Sequence, residues 1–211
     1  MKNLYFIILV ALAVQGCAFG QKVAYHQFPP PRLEATGNQS IALGVQDRRP
    51  YVLSKEKQEN FVGLARGGFG IPFDVVTATG GPLANDFAIT LGKAFSSRGF
   101  QVKFVQLNPN ASLDQIVKSL IGAGKERSIL IRFTEWKTDS SMTSSIHFNL
   151  MMRVYDKTGQ ILGENQISGK EKIETIGSSM TYAHLKNTVP VAFNERMERL
   201  INNPKIVRAL K

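Results

Sequence analysis

One cysteine, three histidines and two short clusters of charged and glycine residues are where this sequence could do chemistry. Cys17 is the only thiol of the chain. It has no partner for an intramolecular disulfide, so it needs another use. His26, His147 and His184 lie far apart, with no H-x-x-x-H pair, and a metal site is not expected. His147 falls on the polar side of a strand pattern, where a surface or half-buried histidine is expected. Gly177-Ser178-Ser179-Met180 lacks the G-x-S-x-G spacing that lifts a nucleophilic serine onto a sharp strand-to-helix turn. Arg66-Gly67-Gly68-Phe69-Gly70 could cradle an anion with its backbone amides, or be a structural loop. It lacks the G-K-[ST] ending of a P-loop. Asp47-Arg48-Arg49 closes a strand pattern. Charges at such a position can face a ligand crevice, or form a salt bridge that pins the next loop, and the sequence leaves both open. Asp47, Arg48, Arg49 and Arg66 are therefore the candidate ligand or partner surface, with no catalytic residue and no cofactor expected.

The amino terminus gives Cys17 its chemistry. Lys2 precedes an unbroken apolar run, Leu4 to Val14. That run is too short for a membrane-spanning helix, which needs about 20 residues. It suits the apolar region of an export signal, followed by small residues where a peptidase cuts. Val14-Gln15-Gly16-Cys17 resembles the lipobox of bacterial lipoproteins. The resemblance implies cleavage between Gly16 and Cys17, then an S-diacylglycerol and an N-acyl chain on Cys17. Two acyl chains already anchor a protein durably. Ala18 replaces the aspartate that retains such proteins at the inner membrane, so in a Gram-negative host the implied address is the periplasmic face of the outer membrane.

The chain is basic, with a formal net charge of +10. For an exported chain, nucleic acid is not an expected partner; anionic headgroups, glycolipid or cell-wall polymer supply the same attraction. The charges are spread in ones and twos, which also fits a merely solvated surface.

The elements follow from periodicity. Residues 18–38 contain Phe28-Pro29-Pro30-Pro31 and little pattern, and are expected as an extended tether. Ile41, Leu43 and Val45 alternate as a first strand, ended at Asp47-Arg48-Arg49-Pro50. Short strands are expected at Phe61–Arg66 and Phe73–Thr77. Leu83, Phe87, Leu91 and Phe95 form one helical stripe, closed by Arg98-Gly99. A strand from Phe100 to Leu107 follows, then a helix opened by the Ser112/Gln115 capping box. Ser128–Trp136, Ile146–Tyr155 and a strand from Gln160 towards Ser168 read as an antiparallel meander. A helix over Thr181–Asn202 contains Pro190, which either kinks it or begins a second helix. The expected architecture is α/β with an α+β character: a single mixed β-sheet with a C-terminal antiparallel meander, packed by about three helices. Residues 1–16 form the signal, 17–38 the lipidated tether and 39–211 one globular domain.

The lipobox, Asp47 and Arg49 at the end of the first strand, Ser97-Arg98-Gly99-Phe100 closing a helix, and the meander before a C-terminal helix together resemble the YajG-like lipoprotein family. That resemblance implies an envelope lipoprotein of α/β sandwich type and brings no catalytic residues. The expected function is a non-enzymatic accessory or binding module for an envelope protein assembly or a glycolipid. Two alternatives stand beside it. One is an envelope hydrolase assembled from Asp47, Arg66 and His147; the other is adhesion to an anionic membrane or cell-wall surface through net charge.

Overall fold

The computed structural model describes residues 20–66, 69–140, 144–173 and 182–211, the side chains of 182–186 excepted. Cys17, Gly16, the signal segment, Gly67-Gly68 and Gly177-Ser178-Ser179-Met180 lie outside the described residues, as does the His184 side chain.

Among the described residues, eight strands form one curled mixed sheet. The strands are β1 (Lys22–Val23), β2 (Ser40–Asp47), β3 (Phe61–Arg66), β4 (Pro72–Thr77), β5 (Gln101–Phe104), β6 (Arg127–Ser140), β7 (Ser144–Tyr155) and β8 (Ile161–Ile173). The helices are α1 (Pro50–Leu53), α2 (Leu83–Ser96), α3 (Leu113–Ile121), α4 (Tyr182–Ile201) and α5 (Pro204–Ala209), with a 3-10 turn at Tyr25–Gln27. The architecture is α/β, with five helices where the sequence suggested about three. The extra two are short, α1 started by Pro50 and α5 by Pro204, and short helices leave no long apolar period to read. Pro190 lies inside one helix, α4, rather than beginning another.

β6 is the strand on which the sheet is built. One edge pairs antiparallel with β7, which pairs antiparallel with β8, so the expected meander forms. The other edge is shared. Its first half, Arg127 to Phe133, pairs parallel with β2, and its end, Thr138 to Ser140, pairs parallel with β3. β5 lies outside β2, while β4 and then β1 lie outside β3. β5 stops at Phe104 rather than reaching Leu107, and Leu107 packs instead under α3.

Alternation along the strands separates two faces. Leu43, Val45, Ile131, Phe133, Phe148 and Leu150 point to the main core, which α2, α4 and α5 cover. The opposite face is covered at one end only, where Ile116 and Leu120 of α3 bury Ala42, Leu130 and Tyr155. The Ser112 hydroxyl accepts the Gln115 amide while the Gln115 side chain accepts the Ser112 amide, so the capping box fixes where α3 starts.

The expected tether is corrected. Residues 22–38 are part of the domain, because their aromatic and aliphatic side chains complete its core. Tyr25 is fully buried among Phe87, Trp136 and Phe193, with ring centroids at 5.5, 6.3 and 5.8 Å. Trp136 Nε1 donates to the Tyr25 hydroxyl at 3.0 Å, and Thr90 Oγ1 donates to the Tyr25 carbonyl at 2.6 Å. Past the prolines, the chain is stitched to α4. The Arg32 amide donates to Glu198 Oε1 and the Glu34 amide to Asn202 Oδ1, both at 2.8 Å. Proline spacing reads as a tether because it shows a chain without ladder bonds; it cannot show that side chains elsewhere take their place. Truncating Tyr25 to Ala should destabilise the fold by about 3–5 kcal/mol, as for other large core aromatics. Urea denaturation measures it, and a change near zero would restore the tether.

Candidate functional site

Between the part of β6 paired with β2 and the part paired with β3, residues 134–137 have no strand partner on that edge. Asp47 and Arg49 fill this gap. The Arg48 amide donates to the Phe133 carbonyl at 2.8 Å, and then the chain turns inward. Arg49 Nη1 donates to the carbonyls of Phe61 (2.6 Å) and Trp136 (3.2 Å), and Nη2 to that of Glu59 (3.2 Å). The guanidinium thus bridges β3 and β6 where no backbone ladder exists. Asp47 faces it in a fork, with Nε at 2.9 Å from Oδ1 and Nη2 at 2.6 Å from Oδ2, and Oδ1 also accepts the Arg49 amide at 3.1 Å.

Both side chains are shut from solvent, Arg49 at 0% and Asp47 at 2% exposure. Burial opposes the guanidinium charge, but the hydrogen-bonded Asp47 carboxylate outweighs it and holds Arg49 above its ordinary range. The rings of Phe133 and Tyr51 flank the cation at 5.3 and 5.5 Å. Of the two readings of this cluster, the geometry is that of a pin.

Arg48 serves the other face of the sheet. Its Nη1 donates to the Pro109 carbonyl at 2.9 Å, beside Gln46 Nε2, which donates to the carbonyl of Asn108 at 3.0 Å. Arg66 ends β3 and forms a fork with Asp139 of β6, at 2.9 and 2.8 Å. The four residues named from the sequence therefore do not make one exposed surface. Asp47 and Arg49 are internal, Arg48 holds a loop, and Arg66 alone stands on the open part of the sheet.

The hydrolase constellation is not assembled. Asp47 alternates with Val45 and Leu43 on the core face, whereas His147 alternates with Phe148 and Ile146 and points from the opposite face. The sheet lies between them. Ser145 Oγ does lie 3.3 Å from His147 Nε2. Both come from one strand, and the carboxylate across from Ser145, Asp139, is engaged by Arg66. Among the described residues, no group of three His, Cys, Asp or Glu side chains is placed to hold a metal ion.

Beyond α3 no long helix crosses the second face; Tyr51 of α1 leans over part of it, donating to Glu135 Oε1 at 2.7 Å, with Lys137 Nζ 5.5 Å from its ring. Glu135, Lys137, Asp139, His147 and Lys170 share this end of the face, with Arg66 at its edge; Lys137 and Lys170 both stand level with His147 in the ladders. Alternation in the sequence shows these residues as polar. It cannot show which polar half of a sheet a helix will cover, so Glu135, Lys137, Asp139 and Lys170 escaped the sequence reading.

No family model matches this chain. No curated protein is similar to it in sequence. Solved structures of similar fold do exist, and bacterial lipoproteins are among them. A protein from Xanthomonas campestris, assigned to the family model DUF330, is 8% identical; the likeness covers 85% of this chain and 92% of that one, at a TM-score of 0.48. The LpoB C-terminal domain from Salmonella enterica is 14% identical, with 65% and 87% covered and a TM-score of 0.33. Lipoprotein GNA1162 from Neisseria meningitidis is 15% identical, with 76% and 99% covered and a TM-score of 0.30. These likenesses are too loose to bring an activity or a partner to this chain. The resemblance to the YajG-like group rests on its short motifs alone.

Two outcomes follow from this geometry. Replacing Arg49 with Met leaves a buried carboxylate unpaired and should cost about 3–5 kcal/mol in urea denaturation. Arg49→Lys should not restore it, because a lysine cannot form the fork and reach three carbonyls. Wild-type stability in Arg49→Met would mean that the pair pins nothing.

The second outcome concerns pH. Burial, then Lys137 and Lys170, lower the His147 pKa, against Glu135 and Asp139. A histidine lowered on folding takes up its proton first in the unfolded chain. Its contribution to stability is therefore full above the ordinary imidazole value of about 6.5 and is lost as pH falls through the lowered one. His147→Gln should flatten this part of the stability–pH curve; an unchanged slope would show that His147 does not produce it.

Proposed function

We propose that this protein is a lipid-anchored envelope module that binds another envelope component, protein or glycolipid, through the open polar half of its sheet and without turnover. The observation that carries the reading is the unequal covering of the two sheet faces. One is closed by α2, α4 and α5; the other is closed by α3 at one end and elsewhere presents Arg66, Lys137, His147 and Lys170. The cations Arg66, Lys137 and Lys170, interleaved with the carboxylates Glu135 and Asp139 and, across Leu64, Asp74, suit a partner of complementary charge and fix its register more than they add raw affinity.

The anchor comes from the sequence pattern at Val14–Cys17, and the periplasmic face of the outer membrane from Ala18. Among the described residues no helix is long and apolar enough to cross a membrane. The three acyl chains of a lipidated Cys17 would hold the chain to the membrane, each buried methylene contributing about 0.8 kcal/mol.

Cys17→Ala tests the anchor. In cells fed a radiolabelled fatty acid, the parent chain should take up label and sediment with outer membranes. The variant should take up none and keep its signal segment. Label in the variant, or an unlabelled parent, would remove the anchor.

A further inference from the structure

At the turn between β3 and β4 the chain exposes two large apolar side chains, Phe69 at 72% and Ile71 at 51%. Nothing among the described residues covers them, although the same hairpin buries Val62, Ala65 and Val75. We propose that this hairpin tip is a second membrane contact, inserted among the lipids of the bilayer that holds Cys17. The proposal rests on the lipid anchor proposed above.

The position of the amino terminus carries it. β1 runs parallel to β4, with Lys22 beside Val76 and Val23 beside Thr77, while β4 runs from the hairpin at Pro72 towards Thr77. Going back from Lys22 towards Gly20 therefore leads towards the hairpin. Gly20 is the first described residue, and the Gln21 carbonyl accepts the Val76 amide at 3.1 Å. Three peptide units join Cys17 to Gly20, and they span at most about 11 Å.

Because residues 22–38 are packed in the core, no long tether lifts the domain away. The anchor is bound to stay close to the domain, within about 11 Å of Gly20. A bilayer reached by acyl chains on Cys17 is thus the nearest apolar phase to Phe69 and Ile71.

The sole native cysteine is the acylated one, which makes the test direct. The full chain carrying Ile71→Cys is produced in lipidated form, labelled at the new thiol with a polarity-sensitive fluorophore, and reconstituted into phosphatidylethanolamine–phosphatidylglycerol vesicles. Lys118→Cys, exposed on α3 at the far end of the sheet, is the control. The label at 71 should emit at shorter wavelength on reconstitution and be quenched severalfold by brominated lipid. Adding Phe69→Asp should return it to the aqueous emission of the control.

Aqueous emission at 71 from a chain whose intact mass includes the acyl groups would overturn the hairpin contact alone. A mass without acyl groups would overturn the anchor, and the hairpin contact with it. A blue shift that brominated lipid does not quench would assign the tip to a protein contact, such as a second copy, and overturn the proposal.

Discussion

The arrangement of the sheet depends on one buried ion pair. β6 accepts two strands on the same edge, β2 along its first half and β3 at its end, and the backbone offers nothing to join them across residues 134–137. Arg49 supplies donors to the carbonyls of Trp136 and Phe61, and Asp47 supplies the charge that lets a guanidinium lie there without water. A lone buried cation would be prohibitive; a forked, fully hydrogen-bonded pair is tolerable, and its removal is costly from either side. Close approach at this seam shows elsewhere too. A Cβ on Gly63 would lie 2.5 Å from the Thr138 carbonyl oxygen, so the strand can touch β6 only as glycine.

Much of the layout follows from that joint. With β3 held against the end of β6, the β3–β4 hairpin is fixed at that end of the sheet, and β4 receives β1 on its outer edge. The open polar face lies beside it. α3 cannot cover this end, because its capping box and the contacts of Ile116 and Leu120 with Ala42 and Leu130 keep it at the other. The place of the hairpin and the open half of the second face thus have a common cause in the strand pairing.

The repeating elements were legible in the sequence. The α2 stripe at Leu83, Phe87, Leu91 and Phe95, the α3 capping box and the meander all have short-range periods that one chain segment expresses by itself. What long-range packing decides was not legible. Tyr25 reads as part of a proline-rich tether, yet it sits beside Trp136, more than a hundred positions later, and no local pattern connects the two. Asp47 and Arg49 read from the sequence as charges at a strand end; only the gap in the β6 edge shows why they are turned inward. The same limit hid Asp139 and Lys137. Their polarity was plain, but their place in the open half of a face depends on where another helix docks.

Hydrogen–deuterium exchange of Arg49→Met against the parent chain tests most directly whether this pair is the joint of the sheet. Amides of Gly63–Ala65 and of Val75–Thr77 should exchange markedly faster, while the β7–β8 ladder keeps its protection until global unfolding. An exchange pattern unchanged in β3 and β4, or one that accelerates uniformly over all strands, would contradict the account.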